Sequence, residues 1–253
     1  ATTSNNTAAG HAALSNNIAS DNIAIGYNAA QSNTTRTHNT AVGITALLTI
    51  STSNNNTAVV FNALKMTTVG GNTALGQQSL QDNSTGEANV AIGQNTLAQN
   101  TTGSVNLAIG NNAMTANTTG TRNIAIGHTA YDASDTENDD LAIGYAAMIT
   151  NTAGGQYNTA IGNYALDALT SGDGNVGVGY EALSTVTEGG TNTAIGHQTM
   201  LLTTSDDGNT GIGNHAVENN TTGRSNVAVG RYALESNTTA SGNTGVGYRA
   251  AYK

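Results

Sequence analysis

"NVAIGQNTLAQNTTGSV" runs from Asn89 to Val105, and "NLAIGNNAMTANTTGTR" follows it without a gap from Asn106 to Arg122. Both stretches have 17 residues, and both place N-x-A-I-G first, an apolar pair in the middle and N-T-T-G near the end. The same frame begins again at Asn6, Asn22, Asn39, Asn56, Asn72, Asn89, Asn106, Asn123, Asp140, Asn158, Asn175, Asn192, Asn209, Asn226 and Asn243. No linker or change of composition interrupts the series, so residues 1–253 read as one continuous repeat array. Internal repetition at a fixed period is the signature of stacked architectures and takes precedence over any local motif.

Numbered from its Asn, the repeat has Thr, Val, Ile or Leu at position two, Ala or Gly at three, and an aliphatic residue at four (Ala9 in the first copy). That alternation is the period of a short strand. Position five is Gly except at Val60, which predicts a backbone with positive φ or a close approach by another chain segment. Positions eight and nine, as in Ala113 and Met114, predict the start of a second short strand, and N-T-T-G turns the chain back. The expected fold is therefore all-β, a parallel β-solenoid (β-roll) of about fifteen coils. At the ordinary interstrand spacing of about 4.8 Å it would form a rod roughly 70 Å long. The leading Asn residues are expected to stack into a ladder of amides, because a buried amide without partners is costly.

Composition supports a narrow core. The 253 residues include 31 Gly and one Phe, with no Pro, Cys or Trp, and only 9% are charged. Such a chain cannot fill a wide interior, but it can fill a thin one repeatedly. Disorder, the usual fate of polar Gly-rich tracts, conflicts with aliphatic residues held at constant phase. The net charge is −9 and the seven basic residues are scattered, so the clustered positive footprint of a nucleic-acid binder is missing. No apolar run approaches the roughly 18 residues of a membrane span. A cysteine-free chain suits an extracellular setting.

The first strand has aliphatic residues on one face, such as Val90 and Ile92, and methyl groups or bare backbone on the other, as at Ala91. Neither face looks made for water. The expected arrangement puts the aliphatics inside the coil and the Ala/Gly face against neighbouring copies, in a homotrimer of parallel rods. The alternative reverses the faces and still leaves an apolar surface to cover.

The N-x-A-I-G frame, as in "NIAIGHTAY" from Asn123 and "NTAIGNYAL" from Asn158, resembles the head repeats of trimeric autotransporter adhesins. The form with N-T-T-G is similar to repeat arrays of phage tail fibres. The resemblance covers Asn6 to Tyr248 and implies a left-handed parallel β-roll, an intertwined trimer and a place on a cell surface, a secreted filament or a virion fibre. Two features depart from it: the period is longer than usual for adhesin heads, and no coiled-coil stalk, neck, anchor or tail-fibre chaperone domain follows. Neither end carries a recognisable cap. Joining Lys253 to Ala1 of another copy would complete a coil of 16 residues, so end-to-end stacking stands beside the plainer reading of a piece of a longer fibre.

Groups that could carry chemistry are spread along the axis rather than gathered. His11, His128 and His197 share position six, but the last two lie four coils apart, about 19 Å, too far to share a metal within one chain. Asp132, Asp135, Glu137, Asp139 and Asp140 form the densest acidic cluster and read as a solvated bulge rather than a calcium site, since the loaded-turn pattern of calcium β-rolls is missing. The Gly177/Gly179 and Gly211/Gly213 pairs lack the following helix of a phosphate loop. No enzyme, metal, cofactor or catalytic residue is expected. A flat file of threonines could order ice, and Thr40, Thr57 and Thr73 begin one before Val90, Leu107, Ile124 and Leu141 replace them. N-x-T sequons at Asn33, Asn100, Asn117, Asn220 and Asn237 double as turns, and the turn reading is preferred over glycosylation. "AVVFNALKM" (Ala58 to Met66) and "MLLTT" (Met200 to Thr204) break the pattern and are candidates for a lateral contact or a surface-receptor patch, or for drift. The sequence thus predicts a structural extracellular fibre that associates with itself, with an ice- or glycan-binding solenoid as the alternative.

Overall fold

The computed structural model describes residues 5–50, 53–151 and 154–251. Each repeat contributes one strand of three residues, and no helix occurs among the described residues. The chain divides into two compact units, Ala1–Asn123 and Ile124–Lys253. The first unit holds β1 (Thr7–Ala9), β2 (Ile23–Ile25), β3 (Thr40–Val42), β4 (Thr57–Val59), β5 (Thr73–Leu75), β6 (Val90–Ile92) and β7 (Leu107–Ile109). The second holds β8 (Ile124–Ile126), β9 (Leu141–Ile143), β10 (Thr159–Ile161), β11 (Val176–Val178), β12 (Thr193–Ile195), β13 (Thr210–Ile212), β14 (Val227–Val229) and β15 (Thr244–Val246). Within each unit every strand pairs in parallel with the next in sequence. The register keeps like positions together, as in Val90↔Leu107, Ala91↔Ala108 and Ile92↔Ile109. Both units are parallel β-solenoids with one coil per repeat.

The expected second strand of each coil is not formed among the described residues. Positions seven and nine take left-handed backbone angles instead: φ is 56° at Asn95 and 51° at Leu97, and 55° at Asn112 and 56° at Met114. Two such residues in quick succession bend the chain too sharply for a strand. Neighbouring coils are still stitched there, since Asn95 N–H donates to the Gln77 carbonyl below (2.9 Å) and Leu97 N–H to the Ala113 carbonyl above (3.1 Å). Left-handed Leu and Met are unfavourable by about 1–2 kcal/mol each. Complete burial of the same side chains offsets that cost.

The faces of the strand are the reverse of the arrangement expected first. Ala91 and Ala108 in the first unit, and Ala125, Ala142, Ala160 and Ala194 in the second, are fully buried, whereas the flanking aliphatics face outward. The reason is the width of the lumen. A Cβ added to Gly177 would sit 3.3 Å from Leu166 Cγ, and one added to Gly211 only 3.0 Å from Met200 Cε. Position three therefore lies directly against position nine, and nothing larger than a methyl fits between them.

Two further columns complete the interior. Along the first, the backbone N–H of each leading Asn donates to Oδ1 of the Asn one coil earlier: Asn89 to Asn72 (2.9 Å), Asn106 to Asn89 (2.9 Å), Asn192 to Asn175 (3.1 Å). Each Nδ2 turns to the closing turn of its own coil, as Asn89 does to the Gly103 carbonyl (2.8 Å). The ladder exists, but in the first unit its rungs are backbone-to-amide. The direct amide-to-amide chain runs at position twelve, where Asn117 donates to Asn100 (2.8 Å) and Asn100 to Asn83 (2.7 Å).

Two glycines explain the tightness. Gly93 has φ 135°, and an added Cβ would fall 2.5 Å from the Gly110 carbonyl oxygen, so both reasons anticipated for this position operate at once. At Gly103 the obstruction is the interior itself, with Asn100 Oδ1 and the Gly120 carbonyl each 2.4 Å from an added Cβ. Val60 occupies the first of these positions at φ 93°, a strained angle for a β-branched residue.

Candidate functional site

With the interior committed to packing and amide ladders, ligand chemistry is confined to the outside. No pocket opens among the described residues, and no group of three or more metal-ligating side chains converges among them. No described helix is long and apolar enough to cross a membrane. Two outward surfaces carry the candidates, the outer face of the strands and the turn that follows it; the closing turn is also exposed, as at Val105 and Tyr157.

The outer face carries positions two and four. Thr is first in β1, β3, β4, β5, β10, β12, β13 and β15, and Ile, Val or Leu holds the fourth position in every strand but β1. Ile161, Ile195, Ile212 and Val229 in the second unit are exposed, as are Ile23, Ile25 and Leu75 in the first. The Thr file is thus paired with a second, aliphatic file two residues on. In the first unit Ile44, Val60 and Phe61 add exposed apolar area beside it. Of the "MLLTT" stretch only Leu202 is exposed among the large apolar residues; Met200 and Thr203 are buried.

The turn after the strand presents positions six and seven, and here aromatic rings line up. In the second unit His128 stacks on Tyr145 (centroids 5.5 Å), Tyr145 meets Tyr164 edge-on (5.3 Å), and Tyr164 meets Tyr180 (6.0 Å). Tyr180 stacks on His197 (5.4 Å), His197 meets His215 (5.5 Å), His215 stacks on Tyr232 (5.2 Å), and Tyr232 reaches Tyr248 (6.3 Å). Eight rings, one per coil, make one ribbon. Among its described residues the first unit has a single such pair, His11 on Tyr27 (5.2 Å). Counting only like residues at position six misses the ribbon. The signal was present, since a Tyr or His falls at position six or seven of every repeat from Asn123 onward.

Charge differs along the ribbon. Arg231 lies over the Tyr232 ring (4.6 Å), and Arg249 over both Tyr232 (5.6 Å) and Tyr248 (5.4 Å). At Tyr164, partial desolvation first and then Tyr145, Asp167 and Glu181 push the phenol above its usual range, and a hydrogen bond to Glu181 does the same at Tyr180. His215 Nδ1 lies 2.9 Å from the Glu218 carboxylate.

The acidic cluster is split by the coil rather than gathered in one bulge. Glu137 and Asp140 point inward and are buried, whereas Asp132, Asp135 and Asp139 are not. Glu137 accepts from the Ser134 hydroxyl (3.0 Å) and from the N–H groups of Asp135 (2.8 Å) and Gly154 (3.1 Å). Asp140 stands in the Asn column: its Oδ1 accepts from Asn158 N–H (2.7 Å), and its Oδ2 accepts from the Tyr131 hydroxyl and from Asn151 Nδ2 (3.3 Å). Burial pushes the Asp140 carboxyl up to about 7 and the Tyr131 phenol well above its ordinary range. Asp167 rises to about 6, again by desolvation.

Four of the five asparagines that open an N-T-T sequon, Asn33, Asn100, Asn117 and Asn220, are fully buried with Nδ2 donating to neighbouring acceptors. In the folded chain they are ladder members out of reach of glycosylation, as the turn reading preferred. Asn237 is half-buried. No protein-family model matches this chain, and no curated protein is significantly similar to it.

Proposed function

We propose that this chain is a structural fibre element that packs side by side with further copies of itself through the outward face of its strands. The observation that carries the reading is the aliphatic file at position four, exposed at Ile25, Leu75, Ile161, Ile195, Ile212, Val229 and Val246 and half-buried at the other coils after β1. A second copy is the favoured occupant because its side chains repeat at the same interval, so contacts made at one coil recur at the next, as in the dry interfaces of stacked sheets. A partner without that period would match only locally. The resemblance to adhesin heads and tail-fibre repeats supports a trimer and a position outside the cell.

The test is the mass of the particle in solution. Light scattering on a sizing column is expected to give a small multiple of the chain mass. Ile195→Lys with Ile212→Lys is expected to return it to one chain with the fold unchanged by circular dichroism. Single chains at every concentration of the unaltered protein would refute lateral packing.

A second reading, ice binding, is favoured by one observation: eight strands offer Thr followed two residues later by an aliphatic side chain (Ala9 in β1) on their outward face. Thermal hysteresis of dilute single chains would support it over lateral packing, and ordinary colligative freezing would remove it.

A further inference from the structure

The ribbon of the second unit contains three consecutive phenols. Tyr145, Tyr164 and Tyr180 come from successive coils, with centroids 5.3 and 6.0 Å apart and rings nearly perpendicular. Tyr145 and Tyr180 are 46% and 41% exposed, so an oxidant in solution reaches them. We infer that Tyr145, Tyr164 and Tyr180 form an oxidative modification site, at which a peroxide-driven one-electron oxidant joins two neighbouring phenols into dityrosine and ties adjacent coils together covalently.

The chemistry balances with hydrogen peroxide and a haem peroxidase. Each of two phenols gives one electron to the oxidised haem and its hydroxyl proton to solvent, leaving two phenoxyl radicals. The radicals couple through ring carbons ortho to oxygen, forming one C–C bond. The two displaced ring hydrogens then move to the oxygens and restore both hydroxyls. One peroxide is reduced to two waters, and the chain loses two hydrogens.

Three features favour this trio over the other tyrosines. The surroundings are anionic: Asp167 and Glu181 lie close enough to act on the Tyr164 phenol, and a negative field makes removal of an electron easier. Tyr232 and Tyr248 are farther apart, at 6.3 Å, and lie under the guanidinium groups of Arg231 and Arg249, whose positive charge holds ring electrons back. Tyr131 is buried and hydrogen-bonded to Asp140, out of reach of a protein oxidant. The solenoid supplies the pre-organisation, because strand pairing fixes the spacing of the coils and two radicals formed on one chain need no diffusional encounter. Such a link would resist separation of the coils that carry β9, β10 and β11. It does not depend on lateral packing, since the phenols involved belong to one chain.

The experiment is to treat the dilute full chain with a haem peroxidase and peroxide, then measure dityrosine fluorescence, intact mass and the cross-linked peptides. The expected result is a single-chain band whose mass has fallen by two hydrogens, with Tyr145 joined to Tyr164 or Tyr164 to Tyr180. Tyr164→Phe is expected to lose most of the fluorescence and Tyr232→Phe to keep most of it. Tyr164→His keeps a ring in the ribbon without the phenol and is expected to behave like Tyr164→Phe, which separates loss of chemistry from loss of stacking. Links only between different chains, equal losses in Tyr164→Phe and Tyr232→Phe, or oxidation of the isolated, exposed Tyr157 ahead of the ribbon would overturn the inference.

Discussion

The inside and the outside of a coil obey the same 17-residue period with different strictness. Inside, a column keeps one residue type for one job: Asn72, Asn89 and Asn106 each hold the next backbone N–H, and Ala74, Ala91 and Ala108 each fill the same gap. Outside, position six runs through Gln77, Gln94, Asn111, His128 and Tyr145 without disturbing the strand beside it. The difference teaches where stability resides. An inner side chain is fixed by neighbours on every side and by the coils above and below, whereas an outer one answers only to solvent and to whatever docks.

The largest effect expected inside belongs to the one acid in the Asn column. Asp140 is raised in the folded state to about 7 from an ordinary 3.8, so its contribution to stability is complete below pH 4 and is lost as pH rises through 7. The loss is about 4 kcal/mol, at roughly 1.4 kcal/mol for each tenfold change in proton affinity between the unfolded and folded chain. Asp140→Asn is expected to flatten the stability–pH profile of the second unit, leaving a shallower slope of the same sign from Asp167 and Asp206. Chemical denaturation at pH 4 and pH 8 reads this directly, and an equal slope in both proteins would show that the carboxyl is not held as described.

Next comes the apolar column. Leu97→Ala removes a fully buried side chain from a lumen that cannot collapse without breaking register, at a cost of about 3 kcal/mol. Asn106→Ala follows, at about 2 kcal/mol, because Asn123 N–H loses its acceptor inside the coil. Hydrogen exchange should show both losses concentrated in the coils adjacent to the change. Val60→Gly works in the opposite direction: relief of the strained φ should stabilise the first unit by about 1 kcal/mol. The smallest effect is expected outside, where Gln94→Ser should alter stability by less than about 0.5 kcal/mol.

Much of this contrast was legible in the sequence. The period, the short first strand, the near-invariant Gly at position five and the Asn column with its one Asp all follow from recurrence alone. The direction of the faces did not, because alternation at Val90, Ala91 and Ile92 says only that two sides differ. Which side is inner depends on how much room Leu97 and its equivalents leave across the lumen, a property of residues distant along the coil. The second strand failed for a local reason: Asn95 is a residue type that tolerates a left-handed backbone, but nothing in Leu97 announces one. The inner role of Asn100 and Asn117 was hidden behind a sequon that fits a turn equally well. The aromatic ribbon is hidden in the sequence because its rings are divided between position six (His128, Tyr145, Tyr180, His197, Tyr248) and position seven (Tyr164, His215, Tyr232).

One measurement addresses the inner and outer assignment without reference to any partner. The chain has no cysteine, so Val90→Cys and Ala91→Cys each place a single thiol on one side of β6. In the Ile195→Lys, Ile212→Lys background, expected to be a single chain, thiol labelling under native conditions is expected to modify Val90→Cys readily, and Ala91→Cys only after denaturant is added. Rapid native labelling at position 91 with protection at position 90 would contradict the account.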